Sequence, residues 1–159
     1  MRPARPPLAL RLVALALPVA LLGLAGCGAS AAGPTQEQYA AMADGVCQGT
    51  GEKLTQLEEQ FQIDTWEAAE EGESNIVLER PERWMRVKIV PQYENMSGTL
   101  KSIQPPDGDG AYLADLYSDL DARIETLHRR PSDGRDVVRK DKLLQDRFRS
   151  YGMEVCGTV

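Results

Sequence analysis

Four side chains of this 159-residue chain carry chemistry that few other residues can supply: Cys27, Cys47, Cys156 and the single histidine, His128. A cysteine thiolate can be alkylated, oxidised to a disulfide or bound to a metal. A metal site needs further ligands at suitable spacing, and no His or Cys lies near His128 to complete one, so neither a metal nor a cofactor is expected. His128 sits beside Arg129 and Arg130 with no nucleophile or orienting carboxylate in view, and is read as a surface histidine. No catalytic residue is expected. Asp64, Glu67, Glu70, Glu71 and Glu73 lack the ordered spacing of a calcium loop and read as a solvated acidic stretch. Asp107-Gly108-Asp109-Gly110 begins like such a loop, but Ala111 and Tyr112 stand where a ligand and a glycine belong, so helix capping is the better reading.

Cys27 is set apart by what precedes it. Arg2, Arg5 and Arg11 form a basic start, followed by an apolar run from Leu12 to Leu22. That run is shorter than the ~20 apolar residues a helix needs to cross a bilayer core, so it reads as a signal peptide, residues 1–26. Leu24-Ala25-Gly26-Cys27 resembles the lipobox of bacterial lipoproteins. The resemblance implies cleavage before Cys27, a thioether-linked diacylglycerol on its sulfur and often a further acyl chain, such as palmitate, on the new amino terminus. Two or three chains, at ~0.8 kcal/mol per buried methylene, anchor a protein for practical purposes permanently. The competing reading is plain secretion, with Ala29-Ser30-Ala31 supplying a conventional cleavage site.

Acylation of Cys27 leaves Cys47 and Cys156 as an even pair in a compartment where disulfides persist, and a bridge between them is expected. After the signal, fifteen basic residues face 24 acidic ones, which argues against nucleic acid as a partner. With 42% apolar and 26% charged residues overall, the composition suits one small globular domain.

The elements that hold these residues are helical. Residues 27–34 form a short lipidated tether reaching at most ~25 Å, and the domain occupies 35–159. Thr35 with Gln38 matches a capping box, and Tyr39, Ala43, Val46, Thr50, Leu54, Leu57 and Phe61 recur at helical spacing. Gly45, Gly49 and Gly51 predict a bend or break near Thr50, and 64–79 reads as irregular with at most one turn around Trp66. A second helix opens at Pro81, is kinked by Pro91 and ends at Pro105-Pro106. A third is capped by Asp109 and buries Leu113, Leu116, Leu120, Ile124 and Leu127. A fourth, capped by Ser132 or Asp133, buries Val137, Leu144, Phe148, Tyr151 and Val155 and ends at Gly152 with Met153 against Phe148. Its opposite face carries Arg135, Arg139, Lys142 and Arg149 among Asp136, Asp141 and Asp146, a solvated stripe more than a site for anionic polymers.

Four amphipathic segments with short connections predict an all-α fold, an antiparallel four-helix bundle or a similar helical array. Such a bundle brings the start of the first helix beside the end of the fourth, and with them Cys47 and Cys156. The lipobox, Cys47, Pro105-Pro106 and the ending Tyr151-Gly152-Met153-Glu154-Val155-Cys156 resemble small all-helical exported lipoproteins of actinobacteria, a group of unassigned function.

The expected function is a non-catalytic interaction or binding lipoprotein on the extracytoplasmic face of the cell membrane. Its partners are then membrane lipid through acylated Cys27 and an envelope protein. The alternative is an envelope enzyme or small-ligand carrier with a site in the bundle core. Intact-mass analysis tests the anchor: the mature chain should start at Cys27 and carry acyl mass, and Cys27→Ala should release the protein from the membrane. A mature form starting beyond Cys27 without acyl mass contradicts the lipid anchor.

Overall fold

Helix formation begins at Thr35, whose side chain accepts the Gln38 amide at 3.2 Å while the Gln38 side chain accepts the Thr35 amide at 2.9 Å. This closes the capping box and satisfies two amides that a helix start otherwise leaves unpaired. In a computed structural model that describes residues 33–72, 81–133 and 141–159, the helix so begun, α1, runs unbroken over Gln36–Glu70.

Two expectations are corrected here. No break occurs near Thr50, although three glycines each cost ~1 kcal/mol in a helix interior. Gly45 and Gly49 lie on the exposed side, while Thr50 is buried and Cys47 is buried and bonded to the C-terminal segment, so tertiary packing carries the helix across them. Asp64, Trp66, Glu67 and Glu70 are helical too, not part of an irregular stretch. Polar pairs four residues apart support these last turns. Gln60 donates to Asp64 at 2.7 Å and the Trp66 indole donates to Glu70 at 3.0 Å. Gly72 follows the helix at φ +75°. This is the left-handed conformation that suits a terminator. Glu73 and Asn75 lie outside the described residues.

Residues 81–84 are helical, the helix widens into a π turn at Met85–Ile89, and it continues as α2, Val90–Ser102. The predicted kink at Pro91 takes the form of this turn, in which the Val90 amide donates to the Met85 carbonyl five residues back. Pro91 has no amide to give and its ring crowds the carbonyl four residues earlier; the wider turn just before it relieves both problems. Ile103 leaves the helix in an extended conformation ahead of Pro105-Pro106.

α3 spans Gly110–Arg129 and buries the five residues of its predicted apolar face together with Tyr117. Asp109 stands at its cap position, but its carboxylate makes no capping bond and instead accepts the Tyr151 hydroxyl at 2.6 Å. Ser132 and Asp133 lie in a 3-10 turn, Pro131–Asp133, and residues 134–140, which the sequence predicts them to cap, lie outside the described residues. Asp141 caps α4, Lys142–Ser150, accepting the Leu144 amide at 3.0 Å. Arg135, Asp136, Val137 and Arg139 lie outside the described residues.

α4 ends as predicted. Gly152 adopts φ +98°, its amide reaches the Arg149 carbonyl, and the Met153 amide reaches Phe148. These are the two bonds of a Schellman motif. α1 packs on α2, α2 on α3 and α3 on α4, and all regular structure among the described residues is helical. The side between α1 and α4 is closed by residues 151–159. Gln36 donates to the Tyr151 carbonyl, Asp44 accepts the Val155 and Cys156 amides at 2.9 and 3.0 Å, and Cys47 is bonded to Cys156.

At this closed end Tyr39 and Tyr117 share a hydrogen bond of 2.7 Å between buried hydroxyls. Burial pushes both phenols above their ordinary pKa, most strongly Tyr117, whose bond to Tyr39 raises it further. A group whose pKa is raised by folding stabilises fully below its unfolded value, here ~10, and that contribution fades as pH rises above it. In urea unfolding at neutral pH, Tyr39→Phe and Tyr117→Phe should each cost ~1–3 kcal/mol because each strands the other hydroxyl. The double variant should cost less than the sum of the two, and simple additivity contradicts the pairing.

Candidate binding groove

On the second half of α1, Leu54 and Thr55 lie three and four residues after Gly51, Glu58 and Phe61 follow at further steps of three, and together they form one stripe. Facing it are Trp84, Met85, Ile89 and Tyr93, which run through the π turn into α2. The third side is the C-terminal segment, through Val155, Thr158 and Val159. Together they enclose a cavity of about 300 Å³. Its walls are mostly apolar and half-buried, and its polar side chains include Thr55, Glu58 and Thr158. Gly51 brings the α1 backbone close to the tail, since a Cβ there would lie 3.5 Å from Val159.

The rings of Phe61 and Trp84 pack with centroids 5.3 Å apart and planes tilted by 40°. Both also line a second, more open depression of about 550 Å³, whose other walls include Asp64, Glu67, Glu71, Arg83 and Lys88. The aromatic pair therefore stands between an apolar cavity and a region of mixed charge. Exposed apolar side chains on these same elements include Val87 in the second depression and Trp66, 69% exposed, on α1.

A polar cleft lies elsewhere, between α2 and α3. His128 is exposed as expected, but it does have a carboxylate partner, Glu94 at 2.7 Å, contributed by the neighbouring helix and so invisible in the local sequence. Ser97 is buried and donates to Asp121 at 2.7 Å, and Lys101 pairs with the same carboxylate. Partial burial raises the Asp121 pKa, but the bonds from Lys101 and Ser97 and the charge of Lys101 outweigh it and hold the carboxyl below its usual range. These groups do not form a relay. Asp121 and His128 are seven residues apart on α3, ~10 Å along the axis, and the Ser97 hydroxyl is given to Asp121.

Cys47 and Cys156 are joined, with Cα atoms 5.0 Å apart, whereas Cys27 lies outside the described residues. The basic side of α4 is largely engaged within the fold. Arg149 donates to the Gly157 carbonyl at 2.6 Å, and Arg147 pairs with Asp115 and Asp119 while lying over the Tyr112 ring. Among the described residues no three His, Cys, Asp or Glu side chains converge as a metal site, and no helix is long and apolar enough to cross a membrane.

The helical stripes point to the buried core, and Phe61 closes the first of them. The groove itself has no such signal, because it needs the tail folded back onto α1 and the π turn facing it. Comparison with known protein families, curated proteins and solved structures yields no match.

Proposed function

We propose that this protein is a binding module anchored through acylated Cys27 to the extracytoplasmic face of a bacterial membrane, and that it holds an apolar group of a ligand or envelope partner in the groove without catalysing a reaction. The observation that carries this reading is the cavity between α1, the π turn and the tail. Its volume suits about ten methylene-sized groups at ~30 Å³ each. Burying ten methylenes is worth ~8 kcal/mol before the costs of association, which keep the affinity weaker than ~1 μM. The continuous apolar core and the exposed Trp66 and Val87 also favour binding over catalysis.

The same groove serves the second reading, a small-ligand carrier, and its few polar groups favour a ligand with a single small polar end.

The chain has two tryptophans, so Trp66→Phe leaves Trp84 as a reporter in the groove wall. Titration of this variant with the apolar fluorophore N-phenylnaphthylamine should give saturable energy transfer from Trp84, and Leu54→Asp should weaken it at least tenfold. Absence of saturable transfer in the oxidised protein contradicts the groove as a binding site.

A further inference from the structure

One wall of the groove belongs to no helix. It is the tail, where Val155, Thr158 and Val159 stand on either side of Cys156 in sequence. Turns supply its backbone bonds, from the Gly157 amide to the Met153 carbonyl and from Thr158 to Val155. Its position against α1 is held by the Asp44 carboxylate, which accepts two amides, and by the Cys47–Cys156 bond. Asp44 is only half-buried, so water competes for its bonds. The disulfide admits no such competition, and it fixes the middle of the wall to the helix that forms the opposite side.

We propose that binding at the groove is controlled by the redox state of Cys47 and Cys156: the oxidised chain has a complete groove and the reduced chain an open one. This rests on the groove being a binding site. Closure is thiol–disulfide exchange, in which the two thiols give up two protons and two electrons to a disulfide oxidant that leaves as a dithiol. A dithiol reductant reverses the step, becoming a cyclic disulfide while Cys47 and Cys156 each regain a proton. In an exported chain, apolar binding then begins only after oxidation outside the cytosol.

Burial adds a second consequence. Cys47 is 0% and Cys156 6% exposed, so a reductant reaches the sulfurs only when the tail lifts from α1. A ligand in the groove touches that same tail and opposes its lifting. Coupling between sites is reciprocal: if oxidation favours the ligand, the ligand favours the oxidised state.

The experiment uses the Cys27→Ala, Trp66→Phe chain, whose only thiols are Cys47 and Cys156. N-phenylnaphthylamine affinity is measured by energy transfer from Trp84 with the disulfide intact, after reduction by dithiothreitol, and in Cys47→Ala/Cys156→Ala. Circular dichroism monitors helicity in each state. In parallel, the rate of disulfide reduction is measured with and without saturating probe, an arm that needs only the folded oxidised chain. Affinity should fall at least tenfold on reduction, and the probe should slow reduction severalfold. Deleting Gly157, Thr158 and Val159 should weaken binding with the disulfide intact. If the oxidised chain binds but reduction leaves affinity unchanged, or the probe leaves the reduction rate unchanged, redox control is overturned while the groove stands. If the oxidised chain does not bind at all, the groove itself falls.

Discussion

The bond between Cys47 and Cys156 joins the middle of the first helix to the last residues of the chain, across a sequence separation of 109. Closing a loop of that length removes unfolded-state entropy worth ~4.7 kcal/mol in the chain-entropy model, a large part of the stability of a small domain. Its local effect matters as much. α4 has nine residues and packs on α3 without closing the bundle against α1, and a helix that short is not stable alone. The tail performs that closure. With it come the burial of Met153, the two amide hydrogen bonds to Asp44 and the third wall of the groove.

The facing wall depends on a different constraint. Pro91 cannot sit within regular α-helix without loss of a hydrogen bond and a steric clash, and the π turn at Met85–Ile89 absorbs both. A π turn changes the angular position of every residue before it relative to those after it, so it sets where Trp84 stands with respect to Tyr93. Both side chains line the cavity. A proline in α2 and a disulfide at the chain's end thus shape two sides of one groove, while the long unbroken α1 supplies the side they face.

Much of the scaffold is legible in residue types. The Thr35–Gln38 capping box, the apolar stripe of α3 and the Gly152–Met153 terminator are local patterns, and local geometry realises them directly. The Cys47–Cys156 pairing follows from parity and antiparallel topology. Where reading fails, a distant partner decides. Packing under the tail keeps α1 helical past its glycines; Tyr151, 42 residues away, takes the Asp109 carboxylate from its capping role; and Glu94 on α2 reaches His128 on α3. The groove belongs to this second group, since its walls come from three stretches with no shared local pattern.

The account turns on the tail being docked by its bond to α1, and amide hydrogen exchange of residues 153–159 addresses this most directly. The Val155 and Cys156 amides, bonded to Asp44, and the Gly157 and Thr158 amides, bonded within the tail, should be protected in the oxidised chain. On reduction that protection should be lost while the amides of α2 and α3 remain protected. Unprotected tail amides in the oxidised chain, or tail protection indifferent to reduction, would contradict it.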